Sequence, residues 1–169
     1  RNFEEALANA IETEKYLVGV TANFVVPVFY FYDSLVQLAA DKKSIDINIP
    51  NILNRVEANQ QKMQKWAYNA PMNFQHKYDL VEAEKHRILD ENWQAAELYD
   101  LTIKRAKENE YINEEALANE LAAKFYLDWN KEKIAQVYMQ EAYYCYARWG
   151  GKTKTDNLEK RYPQLLQAI

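Results

Sequence analysis

Apolar side chains recur every three to four positions along most of the chain, which is the period of an amphipathic α-helix. The pattern predicts helices over residues 3–18, 22–40, 51–69, 74–90, 93–109, 114–129 and 131–148, with a last helix that ends near 162–163. The segment 22–40 opens with β-branched residues, but Pro27 fits a first turn or a kink better than a central strand. We therefore predict an all-α fold of seven or eight helices.

Capping residues mark the predicted helix ends. Asn73, Asn92 and Asn113 are expected to begin helices, because an asparagine side chain can accept a hydrogen bond from an amide of the first turn. Asn130 should separate two helices, and Gly150 with Gly151 should end the second one, since glycine adopts positive φ at little cost.

One helical-hairpin pattern appears twice, at a spacing of 40 residues. Small residues recur where two helices must approach closely: Ala83 with Ala123, Ala95 with Ala135, and Thr102 with Ala142. A period of about 34 to 47 residues, with two helices in each unit, is typical of an α-solenoid. We expect antiparallel helical hairpins that stack into a short right-handed α-solenoid.

This pattern also predicts the domain organisation. The 169 residues suffice for one helical-repeat domain with a sizeable core. Divergent helices would occupy residues 1–70, helical-hairpin repeats 71–110 and 111–150, and a C-terminal capping helix 151–169. The chain does not begin with methionine, and we interpret it as a segment excised from a larger protein.

Composition narrows the possible partners. Three glycines and four prolines suit a helix-rich body, and a net charge of −4 with interspersed signs shows no basic stripe for nucleic acid. The apolar segment 16–32 contains Thr21, Asn23 and Pro27, so a buried hairpin is expected there and not a membrane span. A single cysteine, Cys145, cannot form an intrachain disulfide, which suggests a cytoplasmic location; it is expected to be a small core residue.

The helical pairs resemble tetratricopeptide-type repeats, stretched beyond the usual length of about 34 residues. In that reading, Tyr99 and Met139 take the bulky position of each second helix. Two departures are residues 79 and 119, which are Asp and Asn where a large aromatic residue is typical. In addition, no proline follows either second helix.

Longer strings resemble the helical region of very large bacterial signalling proteins that are common in cyanobacteria. The strings are residues 26–35, 73–84 and 115–149, the last of which continues into 158–163. Such proteins join a serine/threonine kinase, an AAA-type ATPase, this helical region, a GAF sensor and a histidine kinase. The resemblance implies that the chain links the ATPase part to the sensor part. It carries over no catalytic residue.

The residues themselves also lack familiar catalytic motifs. The three glycines form no P-loop, and neither a His-Arg-Asp nor an Asp-Phe-Gly sequence occurs, so we expect no phosphoryl transfer within this chain. A di-iron bundle needs Glu-x-x-His, but Ala83 precedes His86 and Asn73 precedes His76. Glu82 with His86 is expected to be a surface pair. We predict no catalytic, cofactor-binding or metal-binding residue.

The concave face of a tetratricopeptide array is lined by the first helix of each repeat. The residues expected to be exposed there, as a candidate partner groove, are Lys77, Leu80, Glu84, Arg87, Glu120, Lys124 and Asp128. Their charges alternate in sign, and ordinary solvated helix faces are the alternative interpretation. Six closely spaced aromatic residues are expected mainly between packed helices, with ligand contact as the alternative: Tyr126, Trp129, Tyr138, Tyr143, Tyr146 and Trp149.

Three functional hypotheses follow. The favoured one is a non-catalytic scaffold and interaction module in signal transduction. Its partners would be flanking domains of the same protein, another protein, or a second copy in a homodimer. The second hypothesis is a peptide-binding tetratricopeptide-type module, and the weakest is a helical-bundle enzyme or cofactor binder.

Overall fold

The computed structural model describes residues 25–39 and 48–167. Helices account for nearly all of these residues, and no strand occurs among them. The eight helices are α1 Val25–Leu38, α2 Ile49–Asn69, α3 Pro71–Ile88, α4 Asn92–Glu108, α5 Ile112–Asp128, α6 Glu132–Trp149, α7 Lys152–Arg161 and the short α8 Pro163–Leu166. The predicted all-α fold is confirmed. The predicted helix over residues 3–18 lies outside the described residues.

Four helices end in the same way, at intervals of 20 residues. Asp90, Glu110, Asn130 and Gly150 follow α3, α4, α5 and α6, with φ of 62°, 62°, 58° and 84°. In this left-handed conformation the chain turns away from the helix, which ends it. Only Gly150 takes up this conformation without a steric penalty, because it has no Cβ.

Two hydrogen bonds close each of these turns. After α3, the amide of Glu91 donates to the carbonyl of His86 at 2.9 Å, and the amide of Asp90 donates to the carbonyl of Arg87 at 3.2 Å. This pair of bonds defines a Schellman motif, which satisfies carbonyls that the helix end would leave without partners. The same pair recurs after α4, α5 and α6.

The helix beginnings follow different rules. The side chain of Asn48 accepts a hydrogen bond from the amide of Asn51 at 3.0 Å, and Pro50 lies in the first turn of α2. All three predicted caps are wrong, since α4 already begins at Asn92. Asn73 lies inside the first turn of α3, because Pro71 already fixes a helical φ, and Asn113 follows the actual cap residue Tyr111 by two positions.

The chain divides into two compact units, residues 1–92 and 93–169. In the first unit α1, α2 and α3 pack against one another. Asp33 of α1 is buried, and it accepts hydrogen bonds from Arg55 at 2.9 Å and from Asn59 at 2.7 Å, both on α2. Arg87 of α3 donates to the carbonyl of Leu38, so polar contacts join all three helices.

In the second unit α5 packs against α6, which also contacts α7 and α8. The core residues on these helices are Ala116, Ala123, Met139, Ala142, Cys145, Tyr146, Leu158, Leu165 and Leu166. Leu158 belongs to α7 and Leu165 to α8, so both C-terminal helices help to cover α6.

The predicted repeat positions are confirmed as packing positions. All six small residues are fully buried: Ala83, Ala95, Thr102, Ala123, Ala135 and Ala142. Tyr99 and Met139, at the bulky position, are fully buried as well. The boundary between the two units falls after Asn92, inside the first predicted repeat, and the single-domain organisation stays a prediction.

Candidate functional site

The predicted partner groove consists largely of buried residues. Lys77, Leu80, Glu84 and Glu120 are buried, although they were expected to be exposed. Arg87 and Lys124 are partly exposed, and Asp128 is exposed. A groove needs exposed residues, and the prediction of exposure is therefore wrong for four of the seven.

Glu120 explains why these polar side chains are buried. Its carboxylate on α5 accepts hydrogen bonds from Lys124 at 2.6 Å, from the hydroxyl of Tyr146 at 2.8 Å and from Lys154 at 3.1 Å. Tyr146 lies on α6 and Lys154 on α7, so one carboxylate joins three helices. Burial alone would raise its pKa, but the two lysines and the tyrosine hydroxyl lower the pKa of Glu120 to about 2.

Lys77 and Glu84, two other residues of the predicted groove, have polar contacts on their own helix, α3. The carboxylate of Glu84 accepts a hydrogen bond from Arg87 at 2.9 Å. The ammonium group of Lys77 lies 3.1 Å from Nε2 of His76. Burial, together with the charge of Lys77, lowers the pKa of His76 to about 3, so its ring is neutral at neutral pH.

The aromatic residues of the second unit form a connected ladder. Tyr126 stacks on Tyr138 with ring centroids 5.2 Å apart and on Trp129 at 6.0 Å. Trp93 meets Trp129 edge to face at 5.3 Å. The hydroxyl of Tyr138 donates to Asp100, and burial together with this bond raises the pKa of Tyr138. Of the six aromatic residues expected between helices, Tyr126 and Tyr146 are buried, but Trp149 is 53% exposed and that expectation is wrong for it. Trp93, which was not among the six, is 74% exposed.

An apolar stripe lies on the outer face of α6. Ile134 is 41% exposed, Val137 60% and Tyr144 46%, and the exposed Glu141 lies between the last two. The sequence pattern predicted the helix over 131–148 and its buried positions, but it did not single out this exposed stripe. The available signal was a second apolar set, offset by about half a turn from the buried alanines.

The other candidate groups have structural contacts. Cys145 is buried in the core as expected, and burial raises the pKa of its thiol. Glu82 binds Lys85 and Gln60, while His86 contacts Glu91. Each residue of the predicted Glu82–His86 surface pair therefore has a different partner. Within residues 25–39 and 48–167 no cluster of His, Cys, Asp or Glu could hold a metal ion.

Among the helices that the structure describes, none combines the length and the apolar character needed to cross a bilayer.

Comparison with known proteins gives a partial similarity to a signalling protein. No protein-family model matches the chain, and no solved structure matches it. Over 61 residues, which are 36% of this chain, it is 39% identical to the hybrid signal transduction histidine kinase G of Dictyostelium discoideum. The matched stretch covers 2% of the length of that protein.

Proposed function

We propose that the chain is a non-catalytic helical scaffold and interaction module of a multidomain signalling protein. Within that protein it would link the ATPase part to the sensor part of a serine/threonine kinase and sensor histidine kinase. The observation that carries the proposal is the 61-residue similarity to a signal transduction histidine kinase, which supports a signalling context. Kinase and ATPase chemistry would belong to other parts of the protein, and the location would be cytoplasmic.

The distribution of polar groups supports the scaffold part of this proposal. Asp33 joins α1 to α2, and Glu120 joins α5 to α6 and α7. Burying these two carboxylates between helices costs desolvation, and the partly exposed cations Arg55 and Lys154 offset that cost only when the helices are packed together. A helix group held in this way can transmit a displacement as one body, which is what a spacer between domains requires.

The surface of α6 supports the interaction part. Isolated exposed apolar residues are ordinary, whereas several on one face of a helix favour an interaction site. Ile134, Val137 and Tyr144 are exposed on one face of α6, with the exposed Glu141 between the last two.

A peptide-binding module is the second candidate, favoured by Trp93. This side chain is 74% exposed and stands perpendicular to Trp129, an arrangement of rings that can receive an apolar segment of a partner. The burial of Lys77, Leu80, Glu84 and Glu120 counts against the groove that tetratricopeptide modules use.

A direct binding measurement tests the scaffold proposal. The chain and the purified segments that flank it in its parent protein would be titrated against one another by calorimetry. We expect at least one flanking segment to bind, with a Kd in the micromolar range or tighter, about −8 kcal/mol. Absence of binding to both flanking segments would contradict the proposal. Trp93→Ala tests the alternative, because loss of binding in that variant alone would assign the contact to the aromatic ladder.

A further inference from the structure

The exposed stripe on α6 has the spacing of a coiled-coil seam. Ile134, Val137, Glu141, Tyr144 and Arg148 follow one another at intervals of three, four, three and four residues. This alternation keeps side chains on one narrow face along a helix. The face from Ile134 to Tyr144 is about 15 Å long, given a rise of about 1.5 Å per residue. We call these five residues the α6 seam.

The seam lies opposite the side of α6 that faces the core. Ala135, Met139, Ala142 and Tyr146 are buried, while each residue of the seam is exposed. The helix thus has two apolar faces, and residues 25–39 and 48–167 cover only one of them. A helix in contact with solvent on its outer side normally carries polar residues there.

The charges of the seam restrict what can cover it. Glu141 has no ion-pair partner among the described residues and lies at the centre of the seam. Arg148, at the end, is already 3.9 Å from the carboxylate of the buried Glu115. The one unbalanced charge of the seam is therefore negative, and it is surrounded by apolar side chains.

We infer that the α6 seam binds an amphipathic helix of a partner segment, with apolar residues against Ile134, Val137 and Tyr144 and one lysine or arginine opposite Glu141. A single charged residue within an apolar seam fixes the register of the two helices and selects a partner of opposite charge. This inference rests on the proposed interaction function and names the kind of partner that the module receives.

A second copy of the chain fits the seam less well. Parallel pairing of two α6 helices would place Glu141 against Glu141 of the second copy, and like charges facing each other are repulsive. Antiparallel pairing centred on the apolar residues would place Glu141 against Val137 of the second copy, which leaves both carboxylates against aliphatic surface. An antiparallel register that sets Glu141 against Arg148 would leave Ile134 and Val137 beyond the end of the second α6, which is at Trp149. A cation supplied by a different helix avoids both arrangements.

Two synthetic helical peptides, titrated into the chain by calorimetry, test this inference. Both have leucine and isoleucine at the seam-facing positions, and they differ at one central position, which is lysine in the first peptide and glutamate in the second. We expect the lysine peptide to bind about tenfold more tightly than the glutamate peptide. Glu141→Lys should reverse this preference.

Val137→Glu should weaken binding of the lysine peptide by at least about tenfold, because it places a second carboxylate in the apolar part of the seam. The matched control is Ala147→Glu, which adds the same side chain at an exposed position of α6 outside the seam. Ala147→Glu should leave binding unchanged, and circular dichroism should show unchanged helix content in both variants.

Three results would overturn the inference: equal affinity for the two peptides, unchanged binding in Val137→Glu, or dimerisation of the chain in sedimentation that Val137→Glu abolishes. The last result would assign the seam to a second copy. If flanking segments of the parent protein bind the chain but Val137→Glu does not affect them, the scaffold proposal stands and the seam inference fails.

Discussion

Some charged side chains of this molecule are buried because neighbouring residues pair with them, and Glu120 is the clearest case. Its carboxylate is buried, yet it is fully ionised at neutral pH because two lysines and a tyrosine hydroxyl surround it. Removing the carboxylate from such a cluster lowers the free energy of unfolding by more than the net contribution of the ion pairs, because the lysines lose their counter-charge.

Glu120→Gln should lower the free energy of unfolding by about 1–3 kcal/mol, because the amide keeps one hydrogen bond but removes the charge that Lys124 and Lys154 balance. Urea unfolding followed by circular dichroism measures the change. Glu141→Gln is the matched control, since the same substitution at an exposed position should alter stability by less than about 0.5 kcal/mol. Equal effects of the two substitutions would show that the contacts of Glu120 do not stabilise the fold.

For single residues, the sequence predicts the burial of small side chains better than the burial of charged ones. The spacing between Ala83 and Ala123 identified buried positions correctly. Where two helices cross closely only a small residue fits, and a small residue can be recognised directly in the sequence. Glu120 was placed on an exposed groove. Its burial depends on Lys154, which lies 34 positions later, on a different helix. Helical periodicity describes one helix at a time and contains no information about such a neighbour.

The elements are defined by how they end. Of the four left-handed residues at intervals of 20, only Gly150 and Asn130 were recognised in the sequence as helix breaks. Asp90 and Glu110 were missed, because neither residue type is a typical C-terminal breaker. The boundaries of α2 to α6 were nevertheless predicted within about three residues, since the apolar period stops where the helix stops. The capping helix predicted over 151–169 is instead two helices, α7 and α8.

Glu110→Gly should stabilise the chain by about 0.5–1 kcal/mol, because it removes the steric cost of a Cβ at φ 62° on an exposed residue. Gly150→Ala should destabilise it by about 1 kcal/mol, since a Cβ there meets no neighbouring atom and the cost lies in the backbone alone. Thermal unfolding of both variants gives the comparison. A gain in stability from Gly150→Ala would contradict the left-handed assignment.

The contact between α1 and α2 depends on the carboxylate of Asp33, much as the packing of α5, α6 and α7 depends on that of Glu120. Asp33→Asn should cost about 2–3 kcal/mol and should increase hydrogen exchange of the α1 amides, because the bidentate contact with Arg55 loses its charge. Lys62→Ala removes an exposed hydrogen bond to Tyr30 between the same two helices, and it should cost about 0.5 kcal/mol or less. Unchanged exchange in Asp33→Asn would indicate that apolar packing alone holds α1.

Across the whole molecule, the two compact units should respond to acid in different pH ranges. His76 belongs to the first unit, and its pKa is lowered from 6.5 to about 3. Between those values the unfolded state binds the extra proton, so this contribution to stability falls as the pH falls from 6.5 towards 3. Glu120 belongs to the second unit, and its contribution falls only as the pH drops from 4.5 towards 2.

We therefore expect His76→Gln to reduce the loss of stability between pH 6.5 and pH 5, where a single histidine can contribute at most about 1.4 kcal/mol per pH unit. Glu120→Gln should leave that range unchanged and flatten the pH dependence below 4.5. Urea midpoints measured at half-unit intervals separate the two ranges. Identical pH profiles for His76→Gln and the unsubstituted chain would show that burial does not keep the ring neutral.

Left-handed turns end α3, α4, α5 and α6 at regular intervals, and we call these turns stops. They also bear on how such a chain can change in evolution. Each stop is closed by hydrogen bonds to its own helix, so it does not depend on the next hairpin. Duplication or deletion of a 40-residue stretch would leave every remaining stop complete, whereas insertion of one residue within a helix would rotate all later residues by about 100°. Lineages of this module should therefore differ in length by whole hairpins.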